Sequence, residues 1–60
     1  MTIEFYKKHK TAIDSLKIGD ETLCYGTHTA SHEVRRTTSG IEYRTLYRYS
    51  KPTIWKLFKN

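Results

Sequence analysis

Three potential metal ligands recur at a spacing of four residues in the first half of the chain: Cys24, His28 and His32. Thiolate and imidazole groups bind zinc, and His9 or Glu33 would be a fourth ligand. Structural zinc sites usually draw their ligands from close pairs such as C-x2-C, however, and His28 lies among loop-forming residues. We therefore predict no metal site and no cofactor, with Cys24 a buried free thiol and the histidines on the surface.

Enzyme chemistry has little support in the sequence. Cys24 with a histidine would be a nucleophile and base, but such catalysis also requires an orienting group and a pocket shielded from water. Asp20 and Glu21 are adjacent, so alternation of side-chain direction sends the two carboxylates apart. The three glycines are isolated and form no phosphate-binding loop. We predict that the protein is not an enzyme.

The distribution of charge is the stronger functional signal. Residues 34–60 carry seven basic side chains and one acidic side chain, a net charge of +6, whereas residues 1–33 carry a net charge of −1. Aromatic rings alternate with the basic residues over 43–49 and again around Trp55. Because cations neutralise phosphates and rings stack on bases, this pattern predicts an accessory protein that binds DNA or RNA. The candidate binding residues are Arg36, Arg48, Tyr49, Lys51, Trp55, Lys56 and Lys59.

A second function fits the same composition. Tyr, Trp and Arg are the residues that most often anchor protein interfaces, so the chain could be a small adaptor or inhibitor that docks on an acidic partner surface. An exposed edge strand could also pair with a partner strand, which would give a homodimer or a hetero-complex. The small size of the chain is typical of a phage-like or mobile-element accessory protein. The sequence leaves both functions open.

Length and composition limit the architecture. A chain of 60 residues is predicted to form one domain over 1–60, and a domain of this size buries only about 60% of the surface of its unfolded chain. Its core is therefore expected to use nearly every large apolar residue, including Ile18, Ile54, Trp55 and Leu57. Cys24 has no partner for a disulfide within the chain, which predicts a reducing, cytoplasmic location. No apolar run is long enough to span a membrane, and no signal peptide is evident.

The clearest element is a strand over residues 41–50, where polar and apolar side chains alternate. Residues 31–36 can pair with it as a hairpin. A two-residue turn would place Arg35 opposite Arg44, whereas a four-residue loop places Arg35 opposite Glu42 and Glu33 opposite Arg44. Cross-strand pairs of opposite charge contribute about 0.2–1 kcal/mol and like pairs are unfavourable, so we predict the second register, in which both arginines are paired within the fold.

The ends of the chain are less clearly defined. Residues 2–10 fit either a strand or a helical stripe. Thr11 resembles a helix N-cap and Gly19 a stop signal, which predicts a short helix near 11–17. The β-branched and aromatic residues of 53–58 favour a closing strand, whereas Pro52 at a first-turn position leaves a short helix as the alternative.

These elements predict a mostly β (α+β) fold: a small curled antiparallel sheet of four or five short strands, or a partly open barrel, with the short helix near 11–17. The segment 16–21 that leads into a strand is similar to the turn that opens many Src-homology-3-like barrels. The proline and aromatic spacing of 49–55 is similar to that of the segment after the last turn of such a barrel. The resemblance implies a Src-homology-3-like fold and does not by itself imply a function.

Overall fold

The structure is a computed structural model that describes residues 1–59. Within these residues two short helices precede an antiparallel sheet whose strands lie in chain order, β1-β2-β3-β4. The predicted mostly β, antiparallel fold is confirmed. The sheet is open, and the Src-homology-3-like barrel stays a prediction. The elements are α1 (Ile3–Lys8), α2 (Lys10–Asp14), β1 (Leu23–Gly26), β2 (Ala30–Thr37), β3 (Gly40–Tyr47) and β4 (Lys56–Leu57).

The N-terminal segment is helical rather than extended. The hydroxyl of Thr2 caps α1 by accepting a hydrogen bond from the Phe5 amide at 3.1 Å. Glu4 lies in the first turn, and lysines occupy the last turn, where each charge is favoured by the helix dipole. Neither helix in residues 1–59 is long and apolar enough to cross a membrane.

The helix predicted near 11–17 is present as α2, but it begins one residue earlier and ends at Asp14. After Asp14 the chain forms a turn in which the backbone amide of Lys17 donates to the carboxylate of Asp20 at 2.8 Å. The amide of Asp20 donates in return to the carbonyl of Lys17 at 3.0 Å. The turn therefore satisfies polar groups that a longer helix would otherwise have paired.

The predicted hairpin register is confirmed. Arg35 lies opposite Glu42, and Glu33 lies opposite Arg44. The loop is shorter than the predicted four residues, because the pairing continues toward the turn and leaves only residues 38–39 unpaired. The cross-strand charge pairs therefore determine the register, and the loop between the two strands is shortened to two residues.

The two C-terminal strands are shorter than predicted. β3 ends at Tyr47, which pairs with Ser50 across a tight turn, instead of continuing through residue 50. The closing strand predicted over 53–58 is reduced to the two residues of β4. Pro52 has no amide to donate, and at Thr53 the side-chain hydroxyl accepts from the Thr45 amide at 2.8 Å, in place of a regular ladder bond.

The hydrophobic core lies between the helices and one face of the sheet. Its buried members are Ile13, Leu16 and Val34, of which Ile13 and Val34 are fully buried. Because the helices cover only this face, the expectation that nearly every large apolar residue is buried is wrong: Ile18 is 61% exposed and Ile54 is 77% exposed. Partly buried residues complete the core: Met1, Phe5, Tyr6, Leu23, Ile41 and Tyr43.

Candidate nucleic-acid interface

The face of the sheet opposite the helices, here called the open face, carries paired charges. The Nη2 of Arg35 lies 2.8 Å from Glu42 Oε1, and the Nε of Arg44 lies 2.6 Å from Glu33 Oε1. These cross-strand pairs confirm that both arginines are used within the fold. Two cations and two anions leave this set of charges neutral, so it does not supply the positive surface that phosphates require.

Trp55 completes the open face and is not part of the hydrophobic core, contrary to the expectation that it is buried with the apolar residues. The indole ring lies 3.9 Å from the guanidinium of Arg35 and 4.5 Å from that of Arg44, measured to the ring centroid. Each contact has cation–π geometry. Trp55, a predicted binding residue, is therefore engaged by two side chains of its own sheet.

Two other predicted binding residues lie on the helix side of the sheet. The Nε of Arg36 donates to the carbonyl of Leu16 at 2.6 Å and so holds the segment that follows α2. Lys56 is opposite Tyr43, a core residue, and therefore points toward the helices. Burial, and then repulsion from Lys56, lowers the pKa of the Met1 amine. Arg36 and Lys56 are separated from the open face by the sheet itself.

Lys59 lies at the other end of the sheet from Arg48. The amide of Phe58 donates to the carbonyl of Ile41 at 2.8 Å, which places the following lysine beside the 38–39 turn. Arg48, by contrast, follows the last residue of β3. The predicted set is thus divided among four places on the molecule.

One of these places contains two cations, Arg48 and Lys51, and the aromatic ring of Tyr49. Here called the loop end, it comprises the β1–β2 loop, residues 27–29, and residues 47–51, which run from the last residue of β3 through the turn that follows it. The amide of Arg48 donates to the carbonyl of Thr29 at 3.2 Å and joins the two loops. Tyr49 is 84% exposed, and the guanidinium of Arg48 lies 5.3 Å from its ring centroid. Lys51 is exposed two residues further on.

Sequence reasoning missed the contribution of the β1–β2 loop. Thr27 organises it: its hydroxyl lies 2.9 Å from that of Thr29 and 3.3 Å from the amide of Ala30, while His28 is exposed at the tip. The signal was present in the register, because continuing the predicted pairing places Ala30 opposite Tyr47. That continuation brings the β1–β2 loop beside the residue after β3.

The candidate metal ligands do not converge. Cys24 is opposite Glu33 on the open face, whereas His32 is one position along on the other face, where its ring lies 5.3 Å from Phe5. Within residues 1–59 no three His, Cys, Asp or Glu side chains are placed to hold a metal ion. The prediction that Cys24 is buried is wrong, because no helix covers its face of β1.

A pocket of about 160 Å³ lies on the helix side, lined by Met1, Thr2, Phe5 and His32. Among these lining residues the imidazole has no carboxylate or thiol to act with, so the pocket does not assemble a nucleophile and base. The absence of enzyme activity stays a prediction.

The helices contain a further electrostatic contact. Hydrogen bonds from Lys10 and then from Tyr6 lower the pKa of the Asp14 carboxyl, and the hydrogen bond and charge of Asp14 raise the pKa of Lys10. The Tyr6 hydroxyl donates to Asp14 Oδ1 at 2.6 Å. Asp14 therefore links α2 to α1, on the opposite side of the sheet from Trp55.

No protein-family profile, curated protein or solved structure matches the chain.

Proposed function

We propose that the protein binds nucleic acid at the loop end, through Arg48, Tyr49 and Lys51. The observation that carries this proposal is the 84% exposure of Tyr49 beside the guanidinium of Arg48. A large exposed ring next to a cation is a combination that nucleic-acid-binding proteins use to contact a base and a phosphate together. DNA and RNA are both candidate partners.

The charges support the same surface. Neither of the two segments of the loop end, 27–29 and 47–51, contains an acidic residue. Within residues 1–59, Arg48 and Lys51 form no ion pair, whereas Arg35 and Arg44 are neutralised. Arg48 and Lys51 therefore supply this end of the sheet with positive charge that no carboxylate of the described residues neutralises.

The backbone holds these side chains in place. The 48–49 turn is closed by the pairing of Tyr47 with Ser50, and the chain is tied again where the amide of Thr53 donates to the carbonyl of Thr45 at 2.9 Å. A restrained turn loses less conformational entropy when a ligand binds than a free loop does.

The test is a fluorescence-anisotropy titration of labelled DNA and RNA at about 50 and 200 mM salt. Loss of one phosphate contact in Arg48→Ala should weaken binding to all sequences similarly. It should also reduce the slope of log K against log salt by about 0.7 for a single strand and about 0.9 for a duplex.

Two control variants make the titration specific. Arg48→Lys keeps the charge and should keep the salt slope. Lys17→Ala removes one exposed cation near the other end of the sheet, next to the Leu16 carbonyl that binds Arg36. If Arg48→Ala and Lys17→Ala have the same effect, the loop end is not the binding site, and if the wild type does not bind, the proposed function is wrong.

A second candidate is docking on an acidic protein surface, and Ile54 is the observation that favours it. Ile54 is 77% exposed in the segment after the 48–49 turn, and Tyr47 is 47% exposed. Exposed apolar and aromatic side chains near cations are typical of an interface. If the titrations show no nucleic-acid binding, light scattering will show whether the chain instead pairs with a second copy, as the edge strand β1 allows.

We also propose a cytoplasmic location, a Src-homology-3-like architecture and a phage-like accessory role. A single exposed thiol, Cys24, supports a cytoplasmic location. The sequential antiparallel order of β1 to β4 is compatible with the resemblance to Src-homology-3-like barrels. The small size and basic charge of the chain support a phage-like accessory role.

A further inference from the structure

The geometry of Tyr49 points to single-stranded nucleic acid as the ligand class of the loop end, an inference that rests on the proposed function. The guanidinium of Arg48 lies 5.3 Å from the ring centroid, and the residue is 84% exposed, so the ring keeps a face open to solvent. An unpaired base can stack on that face, while the cation on the ring lies within reach of the backbone phosphates.

A duplex cannot use the ring in this way. Its bases are stacked on one another, and taking one out of the stack costs unstacking and unpairing energy. Residues 48–51 present one ring and two cations, which matches a few nucleotides of a flexible strand. Within the described residues the two helices have only six and five residues and pack against the helix-side face of the sheet, so neither is presented to enter a major groove.

Electrostatic attraction alone predicts that the duplex binds more tightly than the single strand. The relative affinity of the two forms therefore tests whether the ring takes part in binding. A duplex has the higher charge density, and its salt slope is about 0.9 per phosphate contact against about 0.7 for a single strand. A patch that acted only through Arg48 and Lys51 would therefore favour the duplex. A preference for the single strand requires the ring.

The backbone contacts limit the conformational entropy that is lost when the Tyr49 ring binds a ligand. The amide of Arg48 is bonded to the carbonyl of Thr29, and Tyr47 pairs with Ser50, so the main chain on both sides of Tyr49 is held before a ligand arrives. The ring has only two side-chain torsions to order on binding. Most of the stacking energy can thus appear as affinity.

The experiment titrates the full chain against a labelled single-stranded DNA of about 12 nucleotides and against the duplex of the same sequence. Tyr49→Leu removes the ring, and Tyr49→Phe keeps the ring without the hydroxyl. Loss of one stacked base corresponds to a decrease in affinity of about 5- to 150-fold. We expect this loss for the single strand in Tyr49→Leu, little change for the duplex, and near wild-type affinity in Tyr49→Phe.

The other outcomes separate this inference from the proposed function. If both DNA forms bind, the duplex more tightly, and Tyr49→Leu changes neither affinity, the single-strand inference is overturned while nucleic-acid binding stands. If neither form binds the wild type, both are overturned. Circular dichroism spectra and melting curves of the variants show whether they are folded, and Tyr49→Phe still separates a ring effect from a general loss of structure.

Discussion

Replacement of Trp55 by leucine tests how the open face is stabilised. The leucine keeps apolar contact and removes the ring that lies 3.9 Å from Arg35 and 4.5 Å from Arg44. A partly exposed cation–π contact contributes about 0.5–1 kcal/mol, so loss of both should lower the free energy of unfolding by about 1–2 kcal/mol. A domain of 60 residues has a total stability of about 3–9 kcal/mol, which makes this loss measurable.

Urea unfolding followed by far-ultraviolet circular dichroism is the assay, because the variant has lost the only tryptophan in the sequence. Ile13→Ala provides the comparison for a buried core residue and should cost about 2–5 kcal/mol. Adding Arg35→Ala alone and in combination with Trp55→Leu completes a double-mutant cycle. The coupling energy between the two side chains should be about 0.5–1 kcal/mol.

Two results would refute this reasoning. A loss in Trp55→Leu as large as that in Ile13→Ala would mean that the indole belongs to the apolar core. A coupling energy indistinguishable from zero would mean that the ring and the guanidinium stabilise the fold independently. Arg44→Lys offers an internal check, because it keeps the charge but stacks less well on the ring and should retain only part of the stability.

Two further predictions concern the helices and the β1–β2 loop. Hydrogen bonds from Lys10 and Tyr6 lower the pKa of Asp14 from 3.8, so their stabilisation is present above that pH and is lost as the pH falls through the folded-state pKa. Asp14→Asn should therefore flatten the acid limb of a plot of melting temperature against pH, and an unchanged limb would contradict the contact. At Gly26, with φ +141°, an added Cβ would lie 2.6 Å from a carbonyl oxygen of β2. Gly26→Ala should destabilise the chain by roughly 1 kcal/mol or more in urea unfolding, and by more than Gly19→Ala, where a Cβ meets open space.

The local order of the sheet could be predicted because its causes are local. Alternation over 41–50 identified β3, and the opposite charges of Arg35 and Glu42 identified the register. The length of β3 could not be predicted, since the strand ends at Tyr47, where the chain turns and Tyr47 pairs with Ser50. The same periodicity continues in the sequence beyond the point where the strand ends.

The candidate site was predicted only in part. Arg48, Tyr49 and Lys51 were in the predicted set and lie together, whereas Trp55 and Arg36 are engaged by other parts of the fold. A basic residue in the sequence is a candidate for phosphate binding until its neighbours are known. The Leu16 carbonyl that binds Arg36 is twenty residues away and carries no side-chain signal.

Composition and periodicity were enough to establish the excess of positive charge in residues 34–60, the antiparallel pairing of β2 with β3, and the pairing of Arg35 and Arg44 with glutamates. The charge excess depends only on residue counts. The strand pairing and the charge pairs depend on the two-residue alternation of side chains that every β-strand has. The packing of the chain determined which of the basic side chains remain available to bind a ligand. Packing placed the helices on one face of the sheet and Trp55 over the other, because these contacts join residues that are distant along the chain.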